Sequence, residues 1–76
     1  MWYVIMDQIG VARAEYIESR EGLLDYLVGG LGMKRIGDNQ WARGSKRRIV
    51  LAEFKEWSDA HKMAAQITYT SASLKA

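Results

Sequence analysis

The run Ile49-Val50-Leu51-Ala52 constrains this chain more than any other feature. Successive side chains of a strand point to opposite faces, so four apolar residues in a row put apolar groups on both. Such a segment belongs at the centre of a sheet. It sits inside residues 46–54 (KRRIVLAEF), the clearest strand in the sequence. Gly44-Ser45 comes directly before it and suits a two-residue hairpin, because a type II′ turn takes Gly at its first central position. The segment on the other side of that turn, residues 33–43 (MKRIGDNQWAR), reads as a strand interrupted near Gly37-Asp38-Asn39.

The turn sets a register. With Gly44-Ser45 as the loop, Arg43 faces Lys46, Ala42 faces Arg47 and Trp41 faces Arg48. Trp41, Arg43, Lys46 and Arg48 then share one face, and Ala42 and Arg47 share the other with Gln40 and Ile49.

The remaining segments follow from local signals. Residues 2–9 (WYVIMDQI) are β-branched and aromatic and read as a strand, closed by a turn at Gly10. Residues 11–18 (VARAEYIE) fit a helix face or an edge strand. The strand is preferred because the next segment opens with its own helix start, Ser19, ahead of Glu21 and the stripe Leu23, Leu24, Leu27, Val28 and Leu31. Gly29-Gly30 is the expected helix end. Ser58 repeats the cap signal, with Asp59 in the first turn and Ala60, Met63, Ala64 and Ile67 at helical spacing. This second helix is expected to fade through Thr68-Tyr69-Thr70, leaving a frayed tail at Ala76.

A weak repeat links these pieces. Ala14-Glu15-Tyr16-Ile17-Glu18 and Ala52-Glu53-Phe54-Lys55-Glu56 are half the chain length apart, and each precedes a serine-capped helix. The expected fold is α+β, a four-stranded antiparallel sheet with two helices on one face, possible as two β-β-α units. Coincidence is the competing account, since a strand end followed by a capped helix is common.

Composition sets the outer bounds. The 76 residues make one domain, 1–76, and 49% apolar with 26% charged residues is a globular balance. With no cysteine, disulfide frameworks, thiolate zinc sites and cysteine nucleophiles are excluded. A chain this short buries a modest share of its surface, which favours oligomerisation or a larger partner. Three Trp, four Tyr and four Met place some large apolar side chains at an interface. No secretory leader is read after Met1, and no apolar run approaches the roughly 20 residues that span a bilayer. The expectation is a soluble, cytoplasmic protein with no membrane partner.

Charge is segregated along the chain. Residues 1–33 hold two bases against five acids, a net of −3; residues 34–48 hold six bases against one acid, a net of +5; residues 49–76 balance. The candidate binding residues are therefore Lys34, Arg35, Trp41, Arg43, Lys46, Arg47 and Arg48. An arginine over Trp41 would gain about 0.5–1 kcal/mol of cation–π attraction. Like charges facing each other across strands are destabilising, so Arg43 opposite Lys46 points to an anionic partner, either nucleic acid or an acidic protein surface. Protection of a hairpin tip from edge-to-edge aggregation is the plainer alternative. No aromatic RNP pattern, GXXG loop or zinc knuckle accompanies the charge.

Signals for catalysis are weak. Ser58 and His61 lie three apart, but no acid partner or oxyanion loop is identifiable, so Ser58 reads as a cap and His61 as an exposed first-turn residue. Glu15 and Glu18 would point to opposite strand faces, as would Glu53 and Glu56. Gly29-Gly30-Leu31-Gly32 follows a helix, whereas a phosphate cradle precedes one. No enzyme, metal or cofactor is expected. The leading reading is a binding or regulatory module that holds nucleic acid or a nucleoprotein complex through a basic, aromatic hairpin. One alternative is a protein-binding inhibitor or adaptor, such as a phage protein that blocks a host complex. Another is a structural homodimer with Trp2, Tyr3 or Trp57 at its seam.

Overall fold

A computed structural model describes the backbone of residues 1–75 and the side chains of residues 1–69. The expected frayed tail at Ala76 lies outside the described residues. The strands are β1 (Trp2–Asp7), β2 (Ala12–Tyr16), β3 (Lys34–Gly37), β4 (Gln40–Arg43) and β5 (Lys46–Phe54). The helices are α1 (Arg20–Leu24), which continues into a π-helical stretch (Asp25–Gly30), and α2 (Trp57–Lys75).

The five strands form one antiparallel sheet in the order β2-β1-β5-β4-β3. The fold is α+β with two helices, as expected, but the sheet has five strands and not four. The interruption in residues 33–43 is a turn between two strands. Asn39 adopts φ 56°, a left-handed conformation that Asn tolerates better than most residues, and the β3–β4 register shifts between Arg35 and Gly37. Residues 11–18 do supply an edge strand, and β5 is the central strand.

The two helices cover opposite faces, which corrects the expectation that both lie on one. In β1, Tyr3 and Ile5 face α1 and pack with Leu23, Leu27, Met33, Trp41 and Val50. Val4 faces α2 and packs with Ala12, Ala60 and Ala64, flanked by Trp2, Met6, Phe54 and Ile67. A strand with consecutive apolar residues needs cover on both sides. The bulge in β5 serves the same end. The β1–β5 register shifts between Val4 and Ile5, so Val50 pairs with Ile5 and Ala52 with Val4, leaving Leu51 as the extra residue.

The repeat has a limited structural counterpart. Val4 pairs with Ala14 on one side and Ala52 on the other, and Tyr3 likewise pairs with Glu15 and Glu53. The two segments flank β1 in matching positions. The similarity stops there, because β3 is an added strand and the helices diverge: Ile17 packs towards the α1 layer and Phe54 towards the α2 layer. The chain is β-β-α followed by β-β-β-α.

Helix ends also differ from expectation. Ser19 is the N-cap of α1, accepting from the Gly22 N–H at 3.1 Å. Ser58 is not a cap, since α2 begins at Trp57 and the Ala60 N–H donates to the Glu56 carbonyl. The first helix ends at Gly30, as expected, with Leu31 as its C-cap, but the positive φ falls at Gly32 (66°) and not at Gly29-Gly30, and the Met33 N–H reaches back to the Leu27 carbonyl. α2 continues past Thr68, whose hydroxyl is held by β2.

Candidate functional site

The β4–β5 hairpin has the register read from its turn: Arg43 opposite Lys46, Ala42 opposite Arg47, Trp41 opposite Arg48 and Gln40 opposite Ile49. Gly44 carries φ 61° and Ser45 does not share the positive φ, as a type II′ turn requires. The β1–β5 pairing stops at Asp7–Arg48 and the β3–β4 pairing at Lys34–Ala42. The tip, residues 43–47, therefore projects beyond both neighbouring strands.

Trp41 does not belong to the accessible surface. It is 2% exposed and is the largest fully buried side chain. Its face lies under the first helix, so a tryptophan next to cations in sequence became a core anchor. This corrects its reading as a binding residue of the basic, aromatic hairpin. The Arg43 Nη1 donates to the Leu31 carbonyl at 3.5 Å. Arg48 donates to the Gln8 Oε1 at 3.4 Å and the Arg47 carbonyl at 2.8 Å. Gln8, which the sequence did not single out, also accepts from the Arg47 N–H at 3.3 Å and braces the base of the tip.

The remaining candidate residues come together around that tip, with one exception. Arg43, Lys46 and Arg48 rim a hollow of about 560 Å³ floored by Leu31 and Met33. Lys34 and Arg47 are exposed on the opposite face, beside Ala42. There α2 leaves the β3–β4 part of the sheet open, and Ile36 is 51% exposed. Arg35 is the exception. It pairs with Asp38 at 2.8 Å and donates to the Gly37 carbonyl, which ties it into the β3–β4 turn. That is the one ion pair among the described residues. Among the described residues, no carboxylate lies within ion-pair distance of the other five cations, and their field adds over a small surface.

The groups that could suggest catalysis have structural explanations. His61 stacks on Trp57, with centroids 4.7 Å apart and planes at 17°. Burial and the Glu53 carboxylate push the Tyr3 phenol above its ordinary range, and Arg20 partly offsets them. Among the described residues, no three His, Asp or Glu side chains converge as metal ligands. No helix among the described residues is long and apolar enough to cross a membrane. Of the residues named for a homodimer seam, Tyr3 is buried, Trp2 meets Tyr16 edge-on at 5.3 Å, and Trp57 is open. The chain matches no family model, no curated protein and no solved structure in the comparisons made.

Proposed function

We propose that this chain is a non-enzymatic binding protein whose β4–β5 tip holds nucleic acid. The observation that carries the reading is the set of five cations, Lys34, Arg43, Lys46, Arg47 and Arg48, gathered at and beside the projecting tip with no ion-pair partner among the described residues. A cost of like-charge crowding accepted in the free protein is repaid when phosphates arrive. The cations lie on both faces of a two-stranded ribbon. A ribbon of this kind fits the major groove of duplex DNA, with phosphates on either side. With Trp41 buried, base stacking is not available, so a duplex is favoured over a single strand.

The test is a titration of duplex and single-stranded DNA over a range of salt. Each neutralised phosphate contributes a slope of about −0.9 in log K against log salt, so four or five contacts give about −4. The triple reversal Arg43→Glu, Lys46→Glu and Arg48→Glu should abolish binding while the thermal transition persists. Absence of binding at low salt, or equal binding by the triple variant, would overturn the reading.

A further inference from the structure

The other end of the sheet carries a second surface. We propose that the outer edge of β2, with the flank of α2 beside it, is a self-complementary seam for a second copy of this chain. The proposal does not rest on nucleic-acid binding and involves none of the tip residues.

The hydrogen bonds decide which groups face outward. The Ile17 N–H donates to the Met1 carbonyl and the Asp7 N–H to the Val11 carbonyl. Odd-numbered residues of this segment thus direct their backbone groups at β1, and Ala12, Ala14 and Tyr16 direct theirs to the open edge. At Ala12 both groups are taken, since Thr68 Oγ1 accepts from its N–H at 2.8 Å and donates to its carbonyl at 3.2 Å. Thr68 closes the edge at that point, so in a two-fold pairing the second copy's strand splays away from Ala12 and backbone exchange is confined to Ala14. Ala14 remains available.

Placed on a two-fold axis, Ala14 exchanges both backbone hydrogen bonds with the partner's Ala14. The neighbouring positions then match. Arg13 faces the partner's Glu15, and Glu15 faces the partner's Arg13. Arg-Ala-Glu read antiparallel is its own electrostatic complement, and both charged side chains are exposed in the single copy. Among the described residues, no ion pair within the chain satisfies either of them.

The layer above agrees. A trough of about 580 Å³ runs between β2 and α2, floored by small residues, Ala12, Ala14 and Ala64. Trp57, His61, Ala65 and Tyr69 lie four apart along its wall. This ridge has large groups at its ends and a small one within. In the two-fold arrangement the two α2 helices run antiparallel. Trp57 then approaches the partner's Tyr69, and His61 the partner's Ala65. Tyr16 and Tyr69, 58% and 75% exposed in one copy, become covered.

Sedimentation equilibrium of the full chain tests the seam. The expected species at high micromolar concentration has twice the 8.7 kDa mass and dissociates on dilution. Glu15→Arg or Arg13→Glu alone should raise the dissociation constant about tenfold or more. The double swap Arg13→Glu with Glu15→Arg should restore it, and Ala65→Glu on the exposed ridge should break it independently. A monomeric wild-type chain overturns the proposal. So does an association that the single charge changes leave intact or the double swap fails to recover. DNA binding at the tip is read separately, and its loss or retention leaves this outcome unaffected.

Discussion

The two layers flanking the sheet are built from opposite materials. The α1 layer is filled by large side chains, Trp41, Tyr3, Leu23, Leu27 and Met33. In the α2 layer, the buried residues are Val4, Ala12, Ala60 and Ala64. Bulk suits a short helix that must be anchored: α1 has five residues before it widens, and the Leu31 N–H closes an i+5 bond to the Tyr26 carbonyl. Small residues suit a long helix that lies close along β2, β1 and β5. The difference teaches where each layer is vulnerable. One loses most when a group is removed, the other when a group is added. The large layer also mounts the charged hairpin, because Trp41 belongs to β4 and roots the tip in the core.

The largest effect is expected from Trp41→Ala, which should cost about 3–5 kcal/mol in denaturant unfolding. The same change at Trp57, 51% exposed, should move monomer stability by less than about 0.5 kcal/mol. Comparable losses at the two sites would erase the contrast between anchor and ridge. Next in size, Ala64→Leu should destabilise by about 1–3 kcal/mol through overpacking, measured the same way. A neutral result would mean that α2 lies less tightly on the sheet than its alanines imply. Ser19→Ala should remove about 1 kcal/mol as a lost cap, whereas Ser58→Ala should be nearly silent. A reversed order would place the start of α2 two residues later, at Asp59. The smallest effect concerns alkaline pH. Tyr3 is held above its ordinary value of 10.0 in the fold, so its contribution is complete below that pH. It declines once the unfolded chain ionises more readily than the native one. Stability of the wild type should therefore fall more steeply than that of Tyr3→Phe above pH 10, in parallel thermal melts.

Much of this was legible where one residue type has one use. The hairpin register came from Gly44-Ser45, and the cap of α1 from Ser19. The centrality of β5 came from Ile49 to Ala52. An apolar run at the sheet centre implies cover on both faces, and Tyr3-Val4-Ile5 carries the same signal, which places the helices on opposite sides. Gly37-Asp38-Asn39 was seen as an interruption, because single-sequence pattern does not distinguish a break within a strand from a turn between two. Ser58 misled for a general reason: serine is as acceptable in the first turn as at the cap. Trp41 was the costliest misreading. Its neighbours are charged, but its face is set by strand parity and by which helix lies above, and that depends on contacts with Leu23 and Leu27 far away in sequence. The placement of the cations follows from the hairpin register, all but Arg35 lying at or beside the tip.

The position of β1 has a consequence for how the chain reaches this structure. Its two partners arrive at very different separations, Ala14 and Ala52 both pairing with Val4. The β1–β2 hairpin is local and forms on the microsecond scale. The β1–β5 pairing must close a long loop first, which slows folding. Until β5 docks, β1 is itself an open edge bearing Tyr3, Val4 and Ile5, and on a ribosome it stays so until most of the chain has emerged. The window for mispairing with another chain is thus set by the arrival of residues 46–54, and a slower β4–β5 turn, such as one with Gly44 replaced, would lengthen it.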